Sequence, residues 1–212
     1  LPVLIYALVA GLQRSAGDLA RAQDAKTYAA LAQAKEALIA YAVTYKDTHD
    51  DPGSSNYTVP GYLPCPDLGL PLFGVYYEGA AAGSCDNFLV SSIGRLPWKT
   101  LGLEALKDSS GECLWYAVSG TYKNNPNGVL SNVTASNNMM NWDTNGQFTV
   151  TGTDGNLLAG SAEDNRAVAV IFAPGKQLSG QDRAPASGTT NCGGNYIAAN
   201  YLESAKDIND KV

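Results

Sequence analysis

Residues 30–46 read ALAQAKEALIAYAVTYK, and this stretch decides the fold of the N-terminal part of the chain. Leu31, Leu38, Ala42 and Tyr45 follow one another at spacings of seven, four and three residues. Such spacings place all four side chains on one face of an α-helix. Alanine, the strongest helix former, recurs between them. The stretch therefore predicts an amphipathic helix with one apolar face.

The predicted helix extends in both directions from this stretch. Residues 1–13, LPVLIYALVAGLQ, are almost wholly apolar, and no proline interrupts residues 3–51. The sequence DDPG at residues 50–53 then ends the helix. A helix of this length spans roughly 70 Å, whereas a compact head of the remaining residues is only about 35–40 Å across. We therefore expect two parts, an assembly helix at 1–51 and a globular head at 52–212, with the helix protruding or packing along other copies.

The first thirteen residues leave two interpretations open. As a helix they rise only about 20 Å, which is less than the ~30 Å core of a bilayer. They are either the lower end of a longer membrane span or a packing segment. Because the chain begins with Leu1 rather than methionine, we expect that residues upstream were removed or are missing.

Short strands separated by turns are predicted for the head. Residues 114–119 and 147–151 read as strands, and the continuous apolar run at 167–173 is predicted to be a central strand covered on both sides. A short helix is expected at 101–107, and another near the C-terminus. Residues 120–146 and 174–199 are rich in Asn, Gly, Ser and Pro and read as loops. The fold class is therefore α+β, with a long helix and an antiparallel, loop-rich head.

Composition excludes several classes of function. Charged residues make up 16% of the chain and the net charge is −6, with no basic stripe, so we expect no binding to nucleic acid. The only histidine, His49, lies in an acidic segment, and no GxSxG elbow is present. We therefore predict no enzymatic activity and no cofactor.

The four cysteines indicate disulfides rather than a metal site. Cys65, Cys85, Cys113 and Cys192 form no CxxC pair, and a single histidine cannot complete zinc-type spacing. An even number of cysteines without metal spacing favours two disulfides and an oxidising compartment. The residues alone leave all three connectivities open.

Two other features predict structural roles. Arg95 stands close to Trp98 in GRLPW, and we expect a buried arginine that makes a cation–π contact with Trp98 or pairs with Glu112 or Glu36. The stiff segment GYLPCPD at residues 61–67 is expected to attach the head to the helix through the disulfide of Cys65.

Three aromatic residues are candidates for exposed contacts. They stand in polar or glycine-rich surroundings, where an aromatic ring would be free to touch a neighbouring subunit or a sugar. They are Tyr76, Tyr77 and Trp142.

Several segments taken together resemble the bacterial type IV pilin-like (prepilin or pseudopilin type) family. They begin with the helix stretch at residues 30–42. They continue, in order, with PGYLPCPD at 60–67, GRLPW at 94–98, LGL at 101–103, GECLWYAVS at 111–119, AVAVIFAPG at 167–175 and NYLE at 200–203. The resemblance implies an N-terminal helix that is anchored in the inner membrane before assembly and packed in the filament core afterwards, with a β-rich head outside.

The resemblance also has implications for particular residues. Ordinary type IV pilins carry a Glu near the start of the apolar stretch, but here none precedes Glu36, so either the N-terminus is truncated or subunit register is set differently. The position of Cys113 is usually basic in similar sequences, which implies that Cys113 is an addition paired with Cys192 and leaves Cys65 with Cys85. Assembly contacts are expected from the helix side chains Leu4, Leu8, Leu12, Leu31, Leu38, Ala42 and Tyr45.

The expected function is a structural subunit of an extracellular, cell-surface filament, a helical assembly of identical subunits. Two alternatives stay open. One is a minor pilin-like adhesin that binds a glycan or surface partner through head loops. The other is a pseudopilin of a secretion system, which would leave no long surface fibres.

Overall fold

The computed structural model describes residues 2–49, 60–72, 75–86, 90–123, 140, 143–152, 154–186 and 188–202, with helix side chains from residue 17 onward. One α-helix precedes seven short strands. Their bounds are α1 Pro2–His49, β1 Pro71–Leu72, β2 Val75–Tyr76, β3 Ser92–Arg95, β4 Trp115–Val118, β5 Val150–Thr151, β6 Leu157–Ala159 and β7 Ala169–Phe172. Single 3₁₀ turns occupy Gly120–Tyr122, Glu163–Asn165 and Ala198–Asn200. The chain is therefore α+β, as predicted.

Helix α1 contains 48 residues and is about 72 Å long at 1.5 Å per residue. It ends at His49, just before the predicted stop signal. The side chains of residues 17–26 are all exposed. The first hydrogen bond from the head reaches the helix at Thr27, whose hydroxyl accepts from the backbone N–H of Ser109 at 3.0 Å. The C-terminal half of α1 therefore packs on the head, and the helix leaves the head at about Thr27.

The main sheet is antiparallel and has the order β3-β4-β7. Trp115 of β4 lies opposite Arg95 on one side and Phe172 on the other. The predicted strand at 114–119 is thus confirmed as β4, and it is the central strand. The expectation that residues 167–173 form a central strand is wrong, because β7 is an edge strand whose residues are all only half-buried.

Both faces of β4 are covered. Leu114, Tyr116 and Val118 are buried against the helix residues Ala34 and Leu38. On the opposite face Trp115 packs with Ala198 and Tyr201 of the C-terminal segment. The ring centroids of Trp115 and Tyr201 are 4.6 Å apart. The head is therefore a small sheet between α1 and an irregular C-terminal segment.

The remaining elements are small. Strands β5 and β6 form a hairpin in which the backbone N–H of Gly152 donates to the carbonyl of Asn156 at 2.8 Å, and β5 covers the last two residues of the strand predicted at 147–151. The predicted helix at 101–107 is wrong, because the chain turns at residues 98–102 and Lys107 then pairs with Cys113 as an antiparallel bridge. The helix predicted from residue 200 to 207 lies mostly outside the described residues, which end with the 3₁₀ turn Ala198–Asn200 and residues 201–202.

Two disulfides cross-link different parts of the head. Cys65 is bonded to Cys85, and Cys113 to Cys192, so the predicted use of all four cysteines and the predicted pairing are confirmed. The second disulfide joins Cys113, two residues before the central strand β4, to Cys192, 79 positions further along the chain. It therefore holds the C-terminal segment close to the sheet.

Candidate assembly surface

The inner face of α1 is occupied by the chain's own head. Leu38 and Tyr45 are buried, and Leu31 and Ala42 pack as partly buried residues around the same core. The predicted apolar stripe is therefore present, and it faces the sheet of the same molecule. The assembly role expected for these four residues stays a prediction, and so does that of Leu4, Leu8 and Leu12, whose side chains lie outside the described part of the helix.

The outer face of α1 carries a second set of large apolar side chains. Tyr28, Ile39 and Val43 are 71%, 47% and 67% exposed. Separations of eleven and four residues return to nearly the same side of an α-helix, so the three share one face. We call these three residues the outer stripe. An exposed apolar row on a helix that already has a buried face is typical of a surface that contacts another molecule.

An apolar groove of about 550 Å³ lies between α1 and the edge of the sheet. Ile39 belongs to both the groove and the outer stripe, so the two surfaces are continuous. Lys35 is the only charged side chain that lines the groove among the described residues. The full lining consists of Leu31, Lys35, Leu38, Ile39, Ala42, Gly61, Leu63, Tyr122, Val168, Ala169 and Ile171.

Residues 61–67 attach the head to the helix, but not through Cys65 as expected. The backbone N–H of Gly61 donates to the carbonyl of Ala42 at 2.7 Å, and the ring of Tyr62 lies 5.3 Å from that of Tyr45. Gly61 has a φ of 108°, which favours glycine. The Cys65 disulfide instead joins two parts of the head. The contact with α1 is therefore made by backbone and aromatic packing.

A buried polar cluster fixes the C-terminal segment on the other side of the sheet. The guanidinium of Arg95 lies 3.8 Å from the carboxylate of Glu78 and donates to the carbonyls of Gly193 and Asn195 at 2.5 and 3.0 Å. It also stacks over the ring of Tyr196 at 4.6 Å. The prediction of a buried structural arginine is confirmed.

The partners expected for Arg95 were wrong. Glu112 pairs instead with Arg183 at 3.1 Å, and Glu36 is exposed on α1. Trp98 is stacked by Lys99 at 4.9 Å. The arginine lies where β3 passes under the C-terminal segment, so its partners come from that segment and from Glu78.

Two buried carboxylates of this cluster have pKa values shifted in opposite directions. Burial by itself raises the pKa of Glu78, but hydrogen bonds from Asn191, Cys192 and Thr190 outweigh it, so the net pKa lies below its usual value. For Asp67, burial dominates and raises the pKa, although the N–H groups of Gly69 and Gly79 donate to it. Glu78 is thus a charged anchor for residues 190–192.

Of the three aromatic residues expected to make exposed contacts, only one has a described side chain. Tyr77 is 50% exposed and available for contact. The side chain of Tyr76, in β2, and the whole of Trp142 lie outside the described residues. A contact role for these three residues stays a prediction.

The described residues offer no candidate metal centre. In these ranges no three His, Cys, Asp or Glu side chains come close enough to hold a metal ion. Glu78 and Asp67 accept internal hydrogen bonds, and Arg95 forms an ion pair with Glu78, while the buried Nε of Arg95 has no hydrogen-bond partner among the described residues. Over the same part of the chain, no helix is both long and apolar enough to cross a bilayer.

Comparison of the chain with protein-family models, with curated proteins and with solved structures finds no match.

Sequence reasoning missed two features of this surface. The outer stripe contains apolar residues that flank the predicted face, and their helical spacing was a signal that could have revealed it. The groove depends on how Val168, Ala169 and Ile171 approach α1, and no local pattern encodes that approach.

Proposed function

We propose that this chain is a structural subunit of an extracellular, type IV pilus-like filament and that it assembles through α1. The observation that carries the proposal is that the two faces of the helix have different surroundings. Its inner face is buried on the head, while the outer stripe and residues 17–26 remain exposed. A helix of about 72 Å with exposed apolar side chains gains stability by packing against other helices.

The head has properties that suit an extracellular subunit. Two disulfides join distant parts of a loop-rich chain, which favours an oxidising compartment. The ion pair of Arg95 and Glu78 and the hydrogen bonds to residues 190–192 hold the long C-terminal segment on the sheet. Disulfides stabilise such small, irregular domains mainly by restricting the unfolded chain. The proposal includes an inner-membrane precursor, which the resemblance to pilin-like proteins implies.

The test is to measure how much of the chain is present in filaments sheared from cells that produce it. The proposed function predicts fibres in which this chain is the major component. A chain found only in minor amounts would favour the adhesin alternative, in which Tyr77 is an exposed contact. A chain that is abundant in cells but absent from every fibre would contradict the proposal.

A further inference from the structure

The hairpin of β5 and β6 exposes two large apolar side chains next to each other. Leu157 is 46% exposed and Leu158 is 70% exposed. Adjacent strand residues point to opposite faces, so both faces of this two-stranded hairpin present a leucine to solvent. Isolated two-stranded hairpins are only marginally stable in water, and a contact that covers these leucines would stabilise this one.

The same hairpin carries a fixed negative charge at its turn. The backbone N–H of Asn156 donates to Asp154 Oδ1 at 3.0 Å, and its side-chain amide donates to Oδ2 at 2.7 Å. These hydrogen bonds lower the pKa of Asp154, so the carboxylate is ionised at neutral pH. The hairpin tip therefore presents the side chains of Leu157 and Leu158 beside the carboxylate of Asp154.

The groove between α1 and β7 has the complementary composition. Leu31, Leu38, Val168 and Ile171 supply apolar walls, and Lys35 supplies one exposed positive charge. The exposed fractions of Leu157 and Leu158 show that they do not fill the groove of their own molecule.

We propose that the hairpin tip of one copy binds the groove of a second copy, with Leu157 and Leu158 against the apolar walls and Asp154 paired with Lys35. The tip and the groove are different surfaces of the same chain, so the contact is head-to-tail. Such contacts repeat from copy to copy and form open filaments unless the rotation closes a ring. The inference rests on the proposed function and adds to it a contact between successive heads.

The test is a charge exchange in the purified full-length chain, followed by sedimentation velocity in mild detergent. Lys35→Glu and Asp154→Lys are each expected to weaken self-association roughly tenfold, because an attractive pair becomes repulsive. The double variant is expected to regain association to within about twofold of the wild type. Lys26→Glu and Asp164→Lys, at exposed sites outside the groove and the tip, serve as controls and should change nothing.

A mixture of the two single variants gives a second, independent readout. The groove of the Lys35→Glu chain matches the tip of the Asp154→Lys chain, and the unaltered groove and tip of the two chains match as in the wild type, whereas contacts between two copies of the same variant repel. The mixture should therefore regain the association that each variant alone has lost, with the two chains alternating. Leu158→Asp should weaken association without loss of folding, since that side chain is largely exposed.

Each result separates this inference from the proposed function. Single variants that associate like the wild type, or a double variant that is not restored, would overturn the head contact. A wild type that remains monomeric at all concentrations would overturn it as well. Association in solution that responds to the charge exchange, without filaments on cells, would support the contact and contradict the proposed filament.

Discussion

At the scale of single residues, the ion pair of Glu78 and Arg95 couples the sheet to the C-terminal segment. Both side chains are almost completely buried, and the Glu78 carboxylate accepts hydrogen bonds from residues 190–192. Removing one member of a buried pair leaves the other charge uncompensated, which typically costs about 3–5 kcal/mol. The cluster is therefore a sensitive point for the stability of the head.

Glu78→Gln should lower the free energy of unfolding by about 3 kcal/mol at pH 7, as measured by urea denaturation. The pKa of Glu78 is lower in the folded chain than in the unfolded chain. Its ionised form therefore stabilises the fold above the unfolded pKa, and this stabilisation is lost as pH falls through the folded pKa. The difference between wild type and variant should accordingly shrink on acidification.

The raised pKa of Asp67 acts with the opposite sign, because its stabilisation is present below the unfolded pKa and lost as pH rises through the folded pKa. Asp67 is present in both the wild type and the Glu78→Gln variant, so its contribution largely cancels in the difference between their free energies of unfolding. Glu104→Gln, at an exposed position, is the matched control. Equal stability of Glu78→Gln and wild type at pH 7 would show that the cluster contributes nothing.

The identity of these partners could not be read from the sequence. Glu78 and the groups that donate to it are separated by 112 to 114 residues, and no local pattern reports such a contact. The arginine itself was predictable as buried, because it stands in an apolar, proline-containing segment. Its neighbours depend on the path of the C-terminal segment.

At the scale of elements, the helix and the central strand were predictable, and the sheet order was not. Helical spacing predicted that Leu38 and Tyr45 share a face, and both are buried on the head. The apolar run at 167–173 indicated burial. Whether a strand has one or two neighbours depends on the order of the strands in the sheet, which this run does not encode. The strand β7 therefore proved to be an edge, half-buried by α1 on one face.

The two disulfides are expected to contribute unequally. The chain-entropy model gives about 4.5 kcal/mol for the Cys113–Cys192 link and about 3 kcal/mol for Cys65–Cys85, because the former closes a longer loop. Replacing each pair by serine and measuring urea denaturation should show the larger loss for Cys113→Ser with Cys192→Ser. A larger loss for the other pair would mean that loop length is not the governing factor.

The outer stripe of α1 is expected to act in assembly rather than in folding. Val43→Asp places a charge on a side chain that is 67% exposed, so the free energy of unfolding, measured by urea denaturation, should stay within about 0.5 kcal/mol of the wild type. Filament yield in the sheared fraction should fall at least roughly tenfold, because a carboxylate would be buried between helices.

Thr44→Asp is the matched control for this prediction. It places the same charge on the next residue of the same helix, about 100° around the axis and also exposed. Filament yield that falls equally in both variants would show that the outer stripe has no special role. Unchanged yield in Val43→Asp would contradict its part in assembly.

At the scale of the whole molecule, we expect α1 and the head to have separable roles, assembly for the first and a self-contained fold for the second. The first contacts between them occur at Thr27 and Ala30, so a chain that lacks residues 1–26 keeps every described contact of the head with the helix. Such a chain should be folded by circular dichroism, with both disulfides formed, and should associate only weakly by sedimentation velocity, through the groove and the hairpin tip, without forming filaments. Persistent filaments from the shortened chain would contradict assembly through the helix.

The most direct test of the central claim is a cryo-electron microscopy reconstruction of filaments sheared from cells that produce the full-length chain. The account predicts a fibre with the α1 helices bundled in its interior and the disulfide-linked heads on its outside. A fibre built from this chain with α1 on the surface, or a chain that forms no fibre at all, would contradict it.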